Sequence, residues 1–189
     1  MMITNVKTPT TDLVEQLYHV AEDGKAEIIH GEIVPMSPTG GKSGRIGGKI
    51  YIHLDQYEQD TGRGYAFPDN VGFLVNLPHR QSFSPDAAFY IGDLVNEDFL
   101  EGAPIFAVEV RSKNDYGPAA EQAIREKIAD YFLTGTQVVW DVDTRRQVIC
   151  VYRSPDLDSF TIYTTKDIAE AEPALPGWRL PLAALFNRV

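Results

Sequence analysis

No disulfide can form within this chain, because its 189 residues include a single cysteine, Cys150. That residue sits in the strand-like stretch QVICVYR and reads as a small core side chain. A reducing cytoplasm is the expected location. No apolar run approaches the roughly 18–20 residues of a membrane span. The opening MMITNVKTPTTD also lacks the apolar core of a secretory signal. Basic residues are few: 17 Lys and Arg stand against 27 Asp and Glu, a net charge of −10. This balance counts against a non-specific nucleic-acid coat, which needs basic surface. It leaves room for a local basic groove on an acidic body.

Several catalytic signatures are missing too. GKS within GGKSG suggests a phosphate-cradling P-loop, but the leading glycine of that motif would fall on Met36, and Pro35 and Pro38 do not suit the cradle. Neither GxGxxG nor GxSxG occurs. His19, His30, His53 and His79 fall at no metal-ligand spacing, and one cysteine cannot build a structural zinc site. The histidines read as surface or turn residues. Tyr90, Tyr131, Phe132 and Trp140 read as core rather than as a base-stacking platform.

What is present is an ordinary globular composition, 43% hydrophobic and 23% charged. The length suits one domain, residues 1–189, with a sizeable core. Thr10 or Thr11 can cap a first helix running to about Glu22, with Leu13, Val14, Leu17 and Val20 on one face. AEIIHGEIVPM reads as a hairpin turning at His30-Gly31. The glycine-rich SPTGGKSGRIGG leads into a helix carrying Ile46, Ile50, Leu54 and Tyr57 on one stripe. VGFLVNL, SPDAAFYIG and PIFAVEVRS read as strands. NDYGPAAEQAIREKIADYFLTG has a proline near its first turn and a glycine at its end, the usual helix asymmetry. QVVWDVDTRRQVICVYR reads as a strand pair turning at Asp143 to Arg145, and SFTIYTT as one more strand. In the proline-bearing tail, residues 165–189, Trp178 and several leucines are expected to dock on the body. The fold class is α+β or mixed α/β, with a mixed sheet flanked by helices.

The apolar strand at 104–112 contains a carboxylate. Alternate strand residues share a face, so Ile105, Ala107, Glu109 and Arg111 point one way, while Phe106, Val108 and Val110 form the stronger core set. The Glu109 face turns charged toward the C-terminal end of the strand, where open-sheet active sites commonly lie. Asp86, in SPDAAFYI, has a similar setting. Two converging carboxylates repel unless something positive lies between them, and a hard divalent cation is one answer. On the helix that follows, Ala120, Ile124, Ile128 and Tyr131 form the apolar stripe. Lys127 lies on or beside it, while Glu121, Arg125, Glu126 and Asp130 fall mostly elsewhere. Each residue also has a plain structural reading. Glu109 can pair with Arg111 along one strand face, Lys127 can snorkel to water, and Asp86 can simply end a loop after Pro85. The three anomalies nevertheless occupy consecutive elements.

The run SPDAAFY, PIFAVEVRSKND and REKIADYFLTGTQVVWDVD resembles the Uma-type family of restriction endonuclease-like proteins in the PD-(D/E)XK nuclease superfamily. AEIIHGEIVPMSPTGGKSGRIGGKI resembles the same family, so the likeness covers about residues 25–153. It implies a restriction-endonuclease-like fold and hydrolysis of DNA phosphodiester bonds with Mg²⁺ or Mn²⁺. Asp86 matches the motif aspartate and Glu109 the D/E. The motif lysine falls on Arg111, with the lysine displaced to Lys127 on the next helix. Glu32, in HGEIV, matches a family GE and joins the implied cluster. The implied metal ligands are Asp86, Glu109 and the Val110 carbonyl. Arg111 is assigned a phosphate oxygen, although a guanidinium cannot exchange a proton as a lysine does. Relatives carry a histidine in the glycine-rich loop near the position of Ser43, which this chain lacks. Lys42, Arg45, Lys49 and Lys113 are the candidate DNA-backbone contacts. Cleavage of both strands would favour a two-fold homodimer. The alternative is a non-catalytic DNA- or protein-binding module on a decayed nuclease fold.

Overall fold

The computed structural model describes residues 11–20, 24–94 and 97–189. Helix α1 spans Thr11–Tyr18 and gives way to a turn at His19, whose amide bonds the Gln16 carbonyl. The expected cap at Thr10 and the expected end near Glu22 lie outside the described residues. Strands β1 (Lys25–Ile29) and β2 (Glu32–Met36) form the expected hairpin. His30 and Gly31 both have positive φ, 53° and 74°. This is the mirrored two-residue turn that matches strand twist, and glycine takes it without strain.

Helix α2 (Gly41–Thr61) buries Ile46, Ile50, Leu54 and Tyr57, the stripe visible in the sequence. Gly47 belongs to the same face, and a Cβ there would stand 3.3 Å from the Asp86 carbonyl oxygen. The missing side chain lets α2 lie close against the segment that carries Asp86.

Strands β3 (Tyr65–Pro68), β6 (Ala87–Tyr90), β8 (Phe106–Val110), β9 (Val138–Asp143), β10 (Val148–Arg153) and β11 (Asp156–Tyr163) build a six-stranded sheet in the order β11-β10-β9-β8-β6-β3. Strand β3 has no counterpart in the sequence reading. It is short, ends in proline and lies at the sheet edge, where a missing N–H donor is tolerated. Strands β8 and β9 are parallel and all other neighbours antiparallel. A parallel pair needs a crossover, which helix α3 (Pro118–Leu133) supplies. The short strands β4 (Phe73–Leu74), β5 (Ser82–Phe83) and β7 (Leu100–Glu101) make a separate three-stranded sheet.

Two cores result. Phe106, Val108, Trp140 and Val142 pack against α2 and the C-terminal segment. Ala107, Val139 and Cys150 face the other way, with Ile128 and Tyr131 of α3 and Phe73 and Phe83. The architecture is a mixed α+β sheet flanked by helices, as expected. The tail adds β12 (Ile168–Glu170), β13 (Arg179–Pro181) and α4 (Leu182–Phe186). The Trp178 ring centroid lies 5.1 Å from that of Trp140 and 5.6 Å from that of Phe106. Its indole N–H donates to the His53 carbonyl at 3.2 Å. Trp178→Ala should therefore destabilise the protein by about 3–5 kcal/mol, measured as a lower midpoint in urea unfolding at constant slope.

Candidate active site

Antiparallel pairing of β6 with β8 brings Asp86 to the same sheet end as Glu109. The Asp86 amide donates to the Val108 carbonyl at 2.9 Å. The Val110 amide in turn donates to Asp86 Oδ2 at 2.7 Å. Asp86 is thus fixed through both its backbone and its side chain.

Glu109 points toward α3, as strand alternation predicts. Lys127 Nζ lies 2.9 Å from it, and the Tyr131 hydroxyl donates to Oε1 at 2.7 Å. Glu109 does not pair with Arg111, and Lys127 does not run out to water. Lys127 Nζ also lies 2.9 Å from Glu27 on β1. Glu27 is only 3% exposed. It further accepts from Arg80 at 2.6 Å and from the Ser84 amide at 2.9 Å. Arg80 continues the chain to Asp130 at 2.7 Å, where His79 meets the other carboxylate oxygen. Asp130 therefore departs from the expectation that it falls away from the buried face of α3. At the opposite end, Lys25 Nζ lies 2.7 Å from Asp69 and 2.8 Å from Asp86.

These groups surround a cavity of about 360 Å³ lined by Lys25, Glu27, Asp86, Glu109, Lys127 and Arg111, among others. Burial raises the Glu109 pKa, with Lys127 opposing and nearby Asp86 adding to the rise. Burial also disfavours charge on Lys127, but Glu109 and Glu27 outweigh it and hold the lysine above its ordinary value. Glu27 is the reverse: burial would raise it, yet Lys127 and Arg80 pull it below the usual range. Lys127 is accordingly a fixed cation wedged between two carboxylates.

The structure gathers Asp86, Glu109, Val110 and Lys127 in this cavity. Arg111 lines it as well, but its guanidinium is taken. Nε and one terminal nitrogen bond Asp141 at 2.7 and 2.6 Å, and Glu121 binds the other side of the fork. Asp141 lies directly opposite Glu109 in the parallel β8–β9 register. Glu32 is exposed at the start of β2, beyond the two-residue turn, and is not part of the lining. Glu27, on the preceding strand, supplies the hairpin's buried carboxylate instead. Lys42, Arg45 and Lys113 are exposed. Lys49 Nζ bonds the carbonyls of Ala184, Leu185 and Asn187 at 3.1, 2.9 and 2.6 Å and ties α2 to the C-terminal segment. Ser43, where the family resemblance implies a histidine, donates its hydroxyl to the Arg111 carbonyl at 2.9 Å.

Sequence reasoning missed Lys25, Glu27, Arg80 and Asp69, and assigned Tyr131 to packing alone. A signal for two of them was present. In KAEII, Lys25, Glu27 and Ile29 share a strand face, and all three line the cavity.

The family model for Uma2, described as "Putative restriction endonuclease", matches residues 12–183. The chain belongs to this family. A crystal structure of a "putative nuclease belonging to DUF820" from Anabaena variabilis is similar, with a TM-score of 0.73 at 18% identity, covering 92% of this chain and 96% of that one. At that identity the likeness shows a shared fold, the restriction-endonuclease-like architecture expected for Uma2. A comparison with curated proteins gives no match.

The ion-pair chain has a measurable consequence in this Uma2 protein. Because the folded pKa of Glu27 is depressed, its ionisation stabilises the fold above the unfolded carboxylate range, about pH 4–5. That contribution is lost as pH falls through the lower folded value. Glu27→Gln should be about 3 kcal/mol less stable than wild type at neutral pH, with the gap narrowing in acid. Urea unfolding at a series of pH values measures this, and a gap independent of pH would contradict it.

Proposed function

We propose that this Uma2 protein is a single-domain, metal-dependent endonuclease that hydrolyses DNA phosphodiester bonds in the cavity between Asp86, Glu109 and Lys127. The observation that carries the reading is the meeting of two carboxylates, one just before β6 and one on β8, with a partly buried lysine at one sheet end.

The residues fit a hard divalent cation in charge and in donor type. Five carboxylates line the cavity, Glu27, Asp86, Glu109, Asp115 and Asp141, against four cations, Lys25, Arg80, Arg111 and Lys127. The surplus is negative, and the donors are carboxylate oxygens suited to Mg²⁺ or Mn²⁺. Among the described residues no three His, Cys, Asp or Glu side chains form a ready-made cage. Asp86, Glu109 and the Val110 carbonyl would therefore hold the ion together with water and a phosphate oxygen. A bound cation would supply Lewis-acid polarisation of the phosphoryl group and a more acidic water.

The chain's own groups do the rest. Lys127, held protonated by Glu109 and Glu27, is unsuited to act as a general base at neutral pH. It orients the attacking water and stabilises negative charge developing on the phosphoryl oxygens. Tyr131 fixes the direction of the Glu109 carboxylate. Lys42, Arg45 and Lys113 contact the DNA backbone. Arg111 and Lys49, already committed to protein partners, hold structure instead. A two-fold homodimer would bring a second cavity to the opposite strand.

A second reading, a DNA- or protein-binding module without catalysis, is favoured by two observations. Arg111, on the motif lysine position, is locked to Asp141, and Ser43, where the family resemblance implies a histidine, spends its hydroxyl on the Arg111 carbonyl. One assay separates the readings. Supercoiled plasmid with Mg²⁺ or Mn²⁺ should be nicked by wild type. Asp86→Asn and Lys127→Met should each lose at least about a hundredfold in rate. Equal nicking by wild type and Asp86→Asn would refute the assigned site, and DNA binding without nicking would establish the second reading.

A further inference from the structure

The reading above gives Lys25 no task, yet its ammonium lies on Asp86. Both Asp86 oxygens have partners, Oδ1 with Lys25 at 2.8 Å and Oδ2 with the Val110 amide at 2.7 Å. The amide belongs to a sheet strand and cannot leave without disturbing it. The lysine, on a flexible four-carbon stem, can. Any cation reaching Asp86 therefore meets an ammonium of the same sign already seated there.

Lys25 also stands in the wall between two cavities. The first contains Asp86 and Glu109. The second, of about 470 Å³, contains Asp69 and Ser84, and shares Thr39 with the first. Asp86 lines only the first and Asp69 only the second, whereas Lys25 lines both. Asp69 is a prepared partner: its oxygens also accept from the Asn70 amide at 2.7 Å and from the Thr39 hydroxyl at 3.1 Å. The lysine's charge is thus shared between a carboxylate facing the proposed metal site and one facing away from it.

We propose that Lys25 is a displaceable counter-ion for the divalent cation. Before metal binds, it neutralises Asp86 and Asp69 together. When a divalent ion binds at Asp86, Lys25 moves wholly to Asp69 in the second cavity. A monovalent ion has no charge advantage over an ammonium already in contact, whereas a divalent ion has twice its charge at a similar distance. Lys25 thereby selects for divalent ions and keeps Asp86 compensated without them. The proposal rests on the metal-site reading but not on DNA cleavage.

A double-mutant cycle read by calorimetric Mn²⁺ titration tests it. Lys25→Met should bind Mn²⁺ at least about tenfold more tightly than wild type. Asp69→Asn should bind about tenfold more weakly, because Lys25 then has no second partner to retreat to. In the Lys25→Met background, Asp69→Asn should change affinity by less than about twofold. Lys25→Gln repeats the cycle should the methionine variant fold poorly. Affinity in Lys25→Met equal to or weaker than wild type would overturn the proposal, as would an Asp69→Asn effect that persists without Lys25. Absence of Mn²⁺ binding in all variants would overturn it together with the metal-dependent reading. The predicted cycle in a protein that nicks no DNA would uphold it and remove only the nuclease reading.

Discussion

The contact between Glu109 and Lys127 is the one on which the site depends. A carboxylate inside a six-stranded sheet carries a large desolvation cost unless a cation and hydrogen-bond donors reach it. Here both come from one helix. Lys127 and Tyr131 are four residues apart, one turn of α3, so they reach Glu109 from the same face. Helix α3 is also the crossover that allows β8 and β9 to run parallel. The connection that completes the sheet therefore delivers the groups that make its partly buried carboxylate tolerable.

From that contact the charge pattern spreads in both directions. Lys127 leads to Glu27, Arg80, Asp130 and His79, which clamp the N-terminal hairpin and α3 to the segment before β5. In the other direction Asp86 leads to Lys25 and Asp69. Arg111 belongs to a separate set with Asp141 and Glu121. Its Asp141 partner sits beside Glu109 in the ladder, yet neither carboxylate lacks a cation of its own. Two neighbouring acids thus avoid sharing one counter-ion, and the fork at Arg111 is left to hold β8, β9 and α3 together.

Part of this was legible in the sequence. Strand period two put Glu109 on the face opposite Phe106, Val108 and Val110, and helical spacing put Lys127 beside the apolar stripe. The setting of Asp86 in SPDAAFYI made it a second candidate, and the motif resemblance matched it to the motif aspartate. The rest was hidden for identifiable reasons. Glu27 finds Arg80 across 53 residues of sequence, a distance no local pattern spans. Asp130 was placed off the apolar stripe because periodicity gives an angle around a helix but not what packs there. Arg111 looked available for a phosphate because its partner, Asp141, comes from a parallel strand beyond a whole helix. Of the strand expected over VGFLVNL only Phe73 and Leu74 pair as β4, and the two-residue strands β5 and β7 have too few residues to show a period, so tertiary pairing alone defines them.

The central claim is that Asp86 and Glu109 together form a divalent-cation site. A crystal structure grown with Mn²⁺, with the ion located by its anomalous scattering, tests it most directly. The account predicts a peak bonded to oxygens of both Asp86 and Glu109, with Lys25 Nζ withdrawn from Asp86 and still paired with Asp69. A peak elsewhere on the protein, or an ordered site in which Lys25 remains on Asp86 and no ion is bound, would contradict it.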